Sequence, residues 1–461
     1  MAFESKFQIL KREFPPLAKL AWPLVLANLG WMAMGIVDTM MVGRVSAEAI
    51  GAVSLGSIVF AAAGTFGGGL LFGLDALVPQ AYGGGDVGDC HRSLLNSIYL
   101  TIPLSAVLMV VLWLTIPFLG RFGVNPTVFA LTIPFLKALI WGTPFLLLFF
   151  ALREYLQGMD VVKPVMFALI SANLVNAVGD WVLIFGHWGA PAMGAVGSAW
   201  STTLSRVYMA GAMGVSVWYY DQRHKTSLFE IPLRPDWIRI RRLFMLGLPA
   251  ALQILVEIGV FAVATALIGK LSAVALAAHQ IAMNTVTMTY MVPLGIGAAA
   301  AVRVGQALGR GDAKGAREAG WAALVAGAGF MACAALALWL IPGVLARIYT
   351  PDSVVIQAGA SLLMIAAFFQ LFDGLQTVAT GALRGAGDTH TAMICHLVAY
   401  WGVGLPLGYY LCFSLGWGAN GLWVGLAIAL IVIGMVLALA WHRRTRAWAR
   451  SQYPRVAEKT L

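Results

Sequence analysis

Residues 78–86 read VPQAYGGGD and residues 304–312 read VGQALGRGD, so the same turn returns 226 places later. The match extends beyond this stretch, because residues 20–92 come back as residues 246–318 at the same spacing. Equivalent pairs include Pro23 with Pro249, Gly43 with Gly269, Ser46 with Ser272, Gln80 with Gln306, and, further on, Arg121 with Arg347. Two diverged copies in one chain predict two similar halves around a central cleft.

The composition indicates a membrane protein. Hydrophobic residues make up 60% of the chain and charged residues only 11%, far from the usual balance of a soluble domain. A helix needs about 20 apolar residues to cross a bilayer. We predict twelve such spans, at residues 17–42, 50–76, 93–118, 128–152, 163–186, 191–218, 241–269, 275–302, 319–343, 355–383, 391–414 and 418–441. The predicted fold class is an all-α polytopic membrane protein.

The basic residues predict the orientation. Of the 30 Lys and Arg, only four fall on the side of the membrane opposite the N-terminus: Arg44, Arg121, Lys270 and Arg347. Cytoplasmic loops carry an excess of Lys and Arg, so both termini are predicted to be cytoplasmic. The formal net charge of +10 follows from this topology, and no nucleic-acid partner is needed to explain it.

The span count predicts how the copies are related. Six spans per copy is an even number, so each copy enters and leaves on the same face. The two copies then form parallel six-helix repeats, an arrangement typical of secondary transporters that rock around a central cleft. We predict an N-lobe over residues 1–221, a cytoplasmic linker over 222–240, and a C-lobe over 241–461 with a basic cytoplasmic tail.

The sequence lacks the motifs that are typical of several function classes. The chain has no Gly-x-x-x-x-Gly-Lys-Ser/Thr, which counts against ATP-driven transport. Its four cysteines are scattered and its histidines form no ligand set, so we expect neither disulfides nor a thiolate or histidine metal site, and no cofactor. No nucleophile constellation indicates an enzyme. Residues 1–16 do not have the pattern of a cleavable signal peptide.

Acids inside the spans are the candidate functional residues. An ionisable group at membrane depth costs several kcal/mol unless it pairs, protonates or faces water. Asp38 lies in span 1, Glu257 in span 7 and Asp373 in span 10. Asp180 lies in span 5, one helical turn after Asn176. The structural alternative for each is a packed acid bonded to neighbouring helices.

The acids differ between the two copies. Asp38 aligns with Ala264, and Glu257 aligns with Trp31. They are therefore not part of the shared scaffold, and a functional role is the natural explanation. Because Glu257 lies two turns before the position equivalent to Asp38, we expect both side chains to reach the cleft from opposite lobes.

The acids predict cation chemistry. A carboxyl group in such a place can exchange a proton, and several carboxyl and amide oxygens together can hold a hard monovalent cation. Acidic groups in an apolar cavity also attract organic cations, whose rings can lie on aromatic faces. Asp38, Glu257 and Asp373 are therefore candidates to bind a cationic substrate, and these three, with Asp180 and Asn176, are candidates to take up a proton or a hard cation.

Other polar residues are expected to have structural roles only. Asp75, Asp86, Asp312 and Asp388 fall near span ends and are interpreted as loop or cap residues. Lys137 and Arg206 lie within spans, where they can snorkel or pair, and we assign them no role in transport.

Several segments together resemble the multidrug and toxic compound extrusion (MATE) transporters, over essentially the whole chain. They are residues 23–25 (PLV), 37–39 (VDT), 42–44 (VGR), 78–86, 156–158 (LQG), 304–312 and 383–388 (LRGAGD). The surroundings of Glu257 and Asp373 are similar to the NorM branch of that family.

The resemblance implies antiport of cationic, often aromatic drugs and dyes out of the cytoplasm across the bacterial inner membrane. It implies that Glu257 and Asp373 form a cation-coupling site able to hold Na+, and that Asp38 is an N-lobe site for ion or substrate. Asn176 and Asp180 match the pair that the DinF-like branch uses with the span-1 aspartate for proton coupling. Both sets occur here, so the coupling ion stays open between Na+, H+ and both. A single chain encloses its own cleft, so a monomer is expected to function.

Three other functions fit the residues less well. A lipid-linked precursor flippase of the same superfamily would need a cationic cavity, whereas the cleft candidates are acidic. A major-facilitator carrier usually has an Asp-Arg-x-Gly-Arg type run after span 2, which is absent near residues 83–92. A membrane-embedded enzyme would need a catalytic constellation, and none is found.

Overall fold

The computed structural model describes residues 2–122 and 125–450, and the regular elements in these ranges are helices. The α-helices are α1 Ala2–Val42, α2 Ala47–Leu71, α3 Leu74–Gly83, α4 Val87–Leu119, α5 Pro126–Ile140, α6 Thr143–Gly158, α7 Lys163–Phe185, α8 Ala195–His224, α9 Trp237–Gly269, α10 Ala273–Gly309, α11 Ala313–Leu340, α12 Pro342–Arg347, α13 Ser353–Gly385, α14 His390–His396, α15 Leu405–Tyr409 and α16 Gly418–Arg450. Wider π-helical turns, Leu397–Gly404 and Tyr410–Ser414, flank α15. Short 3₁₀ turns lie at Gly120–Phe122 and Leu228–Glu230.

The helices confirm the predicted fold class. Ten helices of the described chain are long and apolar enough to cross a membrane, or eleven spans if a bent pair counts as one. The remaining predicted span, 191–218, corresponds to α8. Its hydropathy is lower because it carries a buried polar series: Ser198, Ser201, Thr202, Thr203, Ser205 and Arg206.

The predicted span 128–152 is not one straight helix. It is the pair α5 and α6, which meet at a bend of 47°. Residues Trp141 and Gly142 lie between the two helices, and Pro144 is the second residue of α6. Proline has no backbone N–H to donate, so it is tolerated in the first turn of a new helix but interrupts a continuous one.

The repeat is visible in the turns. Asp86 accepts a 2.8 Å hydrogen bond from the Asp89 backbone N–H at the start of α4, and Asp312 accepts a 2.7 Å bond from Gly315 at the start of α11. The residue before each cap, Gly85 or Gly311, has a positive φ of 81° or 74°. Glycine adopts this conformation without steric cost. The predicted cap role of both aspartates is confirmed.

The chain divides into two compact units. The C-terminal unit contains Met1–Val25, Gly83–Gly85 and Leu252–Leu461, and the N-terminal unit contains Leu26–Tyr82 and Asp86–Ala251. Within α1 and α9 the division falls two residues after a proline, Pro23 or Pro249, at equivalent positions of the repeat. Each unit thus includes the first turns of the other copy's first span. The predicted lobe boundaries at residues 221 and 241 stay a prediction.

In the N-terminal unit, large side chains fill the core. One cluster includes Phe149, Tyr155, Leu169 and Met209 from α6, α7 and α8. A second cluster, with Phe60, Phe135 and Leu139 among its members, packs α2 against α5.

In the C-terminal unit, small residues bring the helices close together. A Cβ atom on Gly381 of α13 would collide with the Gly297 carbonyl oxygen of α10, and one on Gly385 would collide with that of Ala301. Small residues allow membrane helices to approach closely. The backbones of α10 and α13 therefore lie in contact at Gly297 and Ala301 on one side and Gly381 and Gly385 on the other, two to three turns after Asp373.

Candidate functional site

Two acids from different helices come together in the N-terminal unit. Asp180 on α7 is completely buried, and Asp38 on α1 is half-buried. Their carboxyl groups interact with each other, and Asn176 interacts with Asp38 as well. Thr202 Oγ1 on α8 lies 3.2 Å from Asp38 Oδ2, to which it can donate a hydrogen bond, and 2.9 Å from the Ser198 carbonyl oxygen, which competes for the same hydrogen. Three helices thus converge on one pair of carboxyl groups.

The neighbouring contact between α7 and α8 fixes Asn176. Ser201 Oγ donates a 2.8 Å hydrogen bond to the Asn176 carbonyl oxygen, and Asn176 Nδ2 donates a 3.3 Å bond to Ser201 Oγ. A Cβ atom on Gly179 would lie 2.5 Å from Ser201 Oγ, so glycine permits this approach. The close packing of α7 and α8 places Asp180 at full burial.

Several oxygens of this cluster are buried without a hydrogen-bond donor. They are Asp38 Oδ1, both Oδ atoms of Asp180, and Asn176 Oδ1. A buried polar atom without a partner costs free energy, and two like charges so close cannot both stay ionised unless a cation joins them. The chemistry of this oxygen set fits a proton shared by the acids or a small cation between them.

A second acid pair lies in the C-terminal unit. Asp373 on α13 is 5% exposed, and Glu257 on α9 is half-buried. The two carboxyl groups interact, and Gln376 interacts with Glu257 as well. Gln376 Nε2 donates a 3.0 Å hydrogen bond to Asp373 Oδ1. The Gln376 side-chain amide therefore interacts with both acids of this pair.

Two phenols face the second pair. Tyr290 on α10 and Tyr400 interact electrostatically with both Glu257 and Asp373. Tyr400 is fully buried, and its ring lies 5.9 Å from that of Phe261 in an edge-on arrangement. The pair is thus lined by aromatic rings, which can support an organic cation.

Neither pair has the ligands of a tightly held transition metal. Across residues 2–122 and 125–450, no group of three or more His, Cys, Asp and Glu side chains could hold a metal ion. A monovalent cation at Glu257 and Asp373 would have to complete its coordination with amide, hydroxyl or backbone oxygens, or with water.

All five predicted coupling residues are thus found in two groups. Asp38, Asp180 and Asn176 come together in the N-terminal unit, and Glu257 and Asp373 come together in the C-terminal unit. Their role in coupling stays a prediction.

The partners of these acids were not predicted from the sequence. Gln376 follows Asp373 by one helical turn, so this spacing could have predicted their contact. Thr202 and Tyr400 lie far from the acids in the chain, and no local pattern marked them. Arg206, to which we gave no role, interacts electrostatically with Asp38.

A family model described as MatE matches the chain twice, at residues 23–182 and at residues 249–410. The chain belongs to the MatE family. The two MatE matches begin at Pro23 and Pro249, which are equivalent positions of the internal repeat. The resemblance predicted from the sequence is confirmed.

Named relatives extend over nearly the whole MatE chain. It is 34% identical over 448 residues to a probable multidrug resistance protein NorM of Brucella suis, covering 95% of both chains. It is 35% identical over 450 residues to the multidrug resistance protein PmpM of Pseudomonas aeruginosa, covering 96% of this chain and 94% of the relative. The predicted similarity to the NorM branch is confirmed.

Solved structures share the fold of this MatE chain. The eukaryotic MATE transporter AtDTX14 superposes with a TM-score of 0.85 at 22% identity, covering 97% of this chain and all of that one. A MATE protein crystallised in a bent conformation gives a TM-score of 0.87 at 18% identity, covering 97% and 99% of the two chains. At these identities the likeness establishes the fold alone.

Proposed function

We propose that this protein exports amphipathic organic cations, including drugs and dyes, in exchange for the inward movement of Na+, H+ or both. The observation that carries the proposal is the presence of two carboxyl pairs within the spans of a MatE-family chain. The names of the NorM and PmpM relatives support drugs as the cargo.

The two acid pairs support coupling by competition for negative charge. A cationic drug and a coupling cation both need a carboxylate, so occupation by one disfavours the other. The membrane potential contributes about 2.3 kcal/mol per charge per 100 mV to inward cation movement. That free energy can drive export if the protein opens alternately to either side of the membrane.

The two acid pairs differ in burial and hydrogen bonding, and these differences favour a different ion at each pair. Both oxygens of Asp180 are buried without a donor, which favours a proton at the Asp38–Asp180 pair. Glu257 is half-buried and shares an amide with Asp373, which leaves oxygens available for a hydrated or partly hydrated Na+ at the second pair. We propose that the protein works without ATP, as a monomer in the bacterial inner membrane with both termini in the cytoplasm.

The flippase alternative is disfavoured by the same observation. A lipid-linked precursor carries negatively charged phosphate, and two carboxyl pairs would repel it. Organic cations are attracted to such sites.

The experiment is efflux of ethidium from proteoliposomes that contain the purified protein. A Na+ gradient and a H+ gradient are imposed separately, each with and without an ionophore that dissipates it. We expect at least one gradient to drive efflux and the matching ionophore to stop it. Efflux under neither gradient would refute the proposed antiport.

A further inference from the structure

Arg206 on α8 is a buried, permanently charged side chain. Only 7% of it is exposed. A guanidinium does not give up its proton in proteins, and a buried charge without a counter-charge is strongly destabilising. The negative charge that balances Arg206 must therefore lie within the surrounding helices.

The immediate contacts of Arg206 are not anions. Its Nη1 donates a long 3.4 Å hydrogen bond to the Leu139 carbonyl oxygen, and the guanidinium lies 4.1 Å from the centre of the Phe60 ring. A Cβ atom on Gly142 would lie 2.8 Å from Nη1, so the bare backbone at the α5–α6 bend makes room for the charge. These contacts hold the guanidinium in place and leave its charge to be balanced from further away.

Asp38 is the partner that the geometry offers. Arg206 lies one helical turn after Thr202 on the same face of α8, and Thr202 donates its hydrogen bond to Asp38. Arg206 does not form a direct ion pair with Asp38, but this placement brings its charge near enough to attract that carboxyl group, and Asp38 in turn interacts with Asp180. One cation and two acids thus form a single electrostatic group inside the N-terminal unit.

We propose that Arg206 is the fixed counter-charge of Asp38 and Asp180, so that this pair takes one univalent cation and disfavours a doubly charged one. The inference rests on the proposed function, in which the pair exchanges cations. With both acids ionised, the group has one net negative charge. A single proton, a single Na+ or one singly charged organic cation then neutralises it.

The acid pair of the C-terminal unit has a different net charge. Besides the neutral phenols of Tyr290 and Tyr400, the groups that act on Glu257 are Asp373 and Gln376, and Gln376 acts on Asp373. Arg384 acts on Tyr290 and is not among the groups that act on either acid. A carboxyl and an amide add no positive charge. Two ionised acids there have two net negative charges, so this pair accommodates two univalent cations or one doubly charged cation. The two units therefore differ in the number of charges that they exchange.

Ethidium and propidium provide a matched test, because they share one aromatic ring system and have one and two positive charges. Both dyes are titrated by fluorescence onto purified full-length protein with Glu257→Gln and Asp373→Asn, so that only the Asp38–Asp180 pair keeps its acids. In this background we expect ethidium to bind more tightly than propidium. Arg206→Gln, which still offers a donor to the Leu139 carbonyl oxygen, should shift the ratio of the two affinities about tenfold towards propidium.

Two further variants separate charge from packing. Arg206→Lys keeps the charge and should keep the preference for ethidium. Adding Asp180→Asn to Arg206→Gln returns the group to one net negative charge and should restore that preference. Equal losses of affinity for both dyes in Arg206→Gln would indicate a packing role and overturn the proposal.

The remaining outcomes are also decisive. An unchanged ratio in Arg206→Gln, with binding intact, contradicts this inference and leaves the proposed antiport standing. Binding of neither dye to the background protein contradicts the assignment of Asp38 and Asp180 as a cation site, and this inference with it.

Discussion

Thr202 on α8 donates a 3.2 Å hydrogen bond to Asp38 on α1, joining two residues that lie 164 positions apart in the chain. A hydrogen bond to an ionised group contributes about 1.5–3 kcal/mol. When the hydroxyl hydrogen points to Asp38 and not to the Ser198 carbonyl oxygen 2.9 Å away, the bond stabilises the ionised form of Asp38.

Replacing Thr202 with valine should weaken the site without abolishing it. Thr202→Val keeps the shape of the side chain and removes the donor to Asp38, so we expect roughly tenfold weaker apparent affinity for the coupling ion. The measurement is the initial rate of ethidium efflux as a function of ion concentration. Thr203→Val is the matched control, because the Thr203 hydroxyl bonds to the Ala138 carbonyl oxygen. Equal effects of both substitutions would contradict the role of Thr202.

Neutralising an acid should abolish the efflux that is driven by the ion its pair takes up. Asp38→Asn, Glu257→Gln and Asp373→Asn each remove a charge and little volume, so the folded protein should still reach the membrane. Efflux of ethidium from proteoliposomes and monodispersity in detergent are measured together. Glu230→Gln, an exposed acid between α8 and α9, is the control and should transport normally. Wild-type rates from all three variants would refute the assignment of these acids.

The two acid pairs should respond differently to the two gradients. If the buried Asp38–Asp180 pair takes the proton, Asp180→Asn should abolish H+-driven efflux and spare Na+-driven efflux, and Glu257→Gln should do the reverse. Each variant is assayed under a single imposed gradient. Loss of both activities in both variants would show that the pairs work as one coupled system.

The close approach of α10 and α13 should be sensitive to a single methyl group. Gly381→Ala places a Cβ atom against the Gly297 carbonyl oxygen, and such overpacking costs about 1–3 kcal/mol. The melting temperature of the detergent-purified protein should fall. Gly329→Ala is the control, because no side chain beyond its chain neighbours and no other helix lies within 4 Å of its Cβ position in α11, and alanine there should be neutral or stabilising. A Gly381→Ala protein as stable as Gly329→Ala would contradict this packing.

The cap of α11 should be replaceable by an isosteric amide but not by alanine. Asp312→Ala removes the acceptor for the Gly315 backbone N–H, which costs about 1 kcal/mol, whereas Asp312→Asn keeps it. Hydrogen exchange in the first turn of α11 should accelerate in the alanine variant alone. Equal exchange in both variants would show that the side-chain acceptor does not stabilise this turn.

Much of the fold was predictable because its signals are local. The apolar spans, the recurrence of Asp86 as Asp312, and the acids at membrane depth can all be read along the chain. The interruption at Trp141–Gly142 was missed, although Pro144 marked it, because hydropathy alone sums across a bend. The low hydropathy of α8 has a different cause, because its polar residues are buried against other helices.

The chemistry around the acids was less predictable because it depends on which helices meet. Nothing near Asp38 in sequence points to Thr202 or Arg206, and nothing near Glu257 points to Tyr400. Arg206 in particular was given no role, because a lone arginine in a span has the same local pattern whether it snorkels or balances an acid. The structure shows that Arg206 is buried, so it does not snorkel.

The division of α1 at Val25–Leu26 has a consequence for biosynthesis. The residues up to Val25 belong to a compact unit whose other members begin with Gly83–Gly85 and continue from Leu252. They can pack against the rest of this unit only after most of the second copy has been translated. The N-terminal unit likewise needs residues up to Ala251, from the start of the second copy, before it is complete. Neither half of the gene therefore encodes a complete unit, and a chain cut between the copies would have to exchange its first turns with its partner in order to assemble.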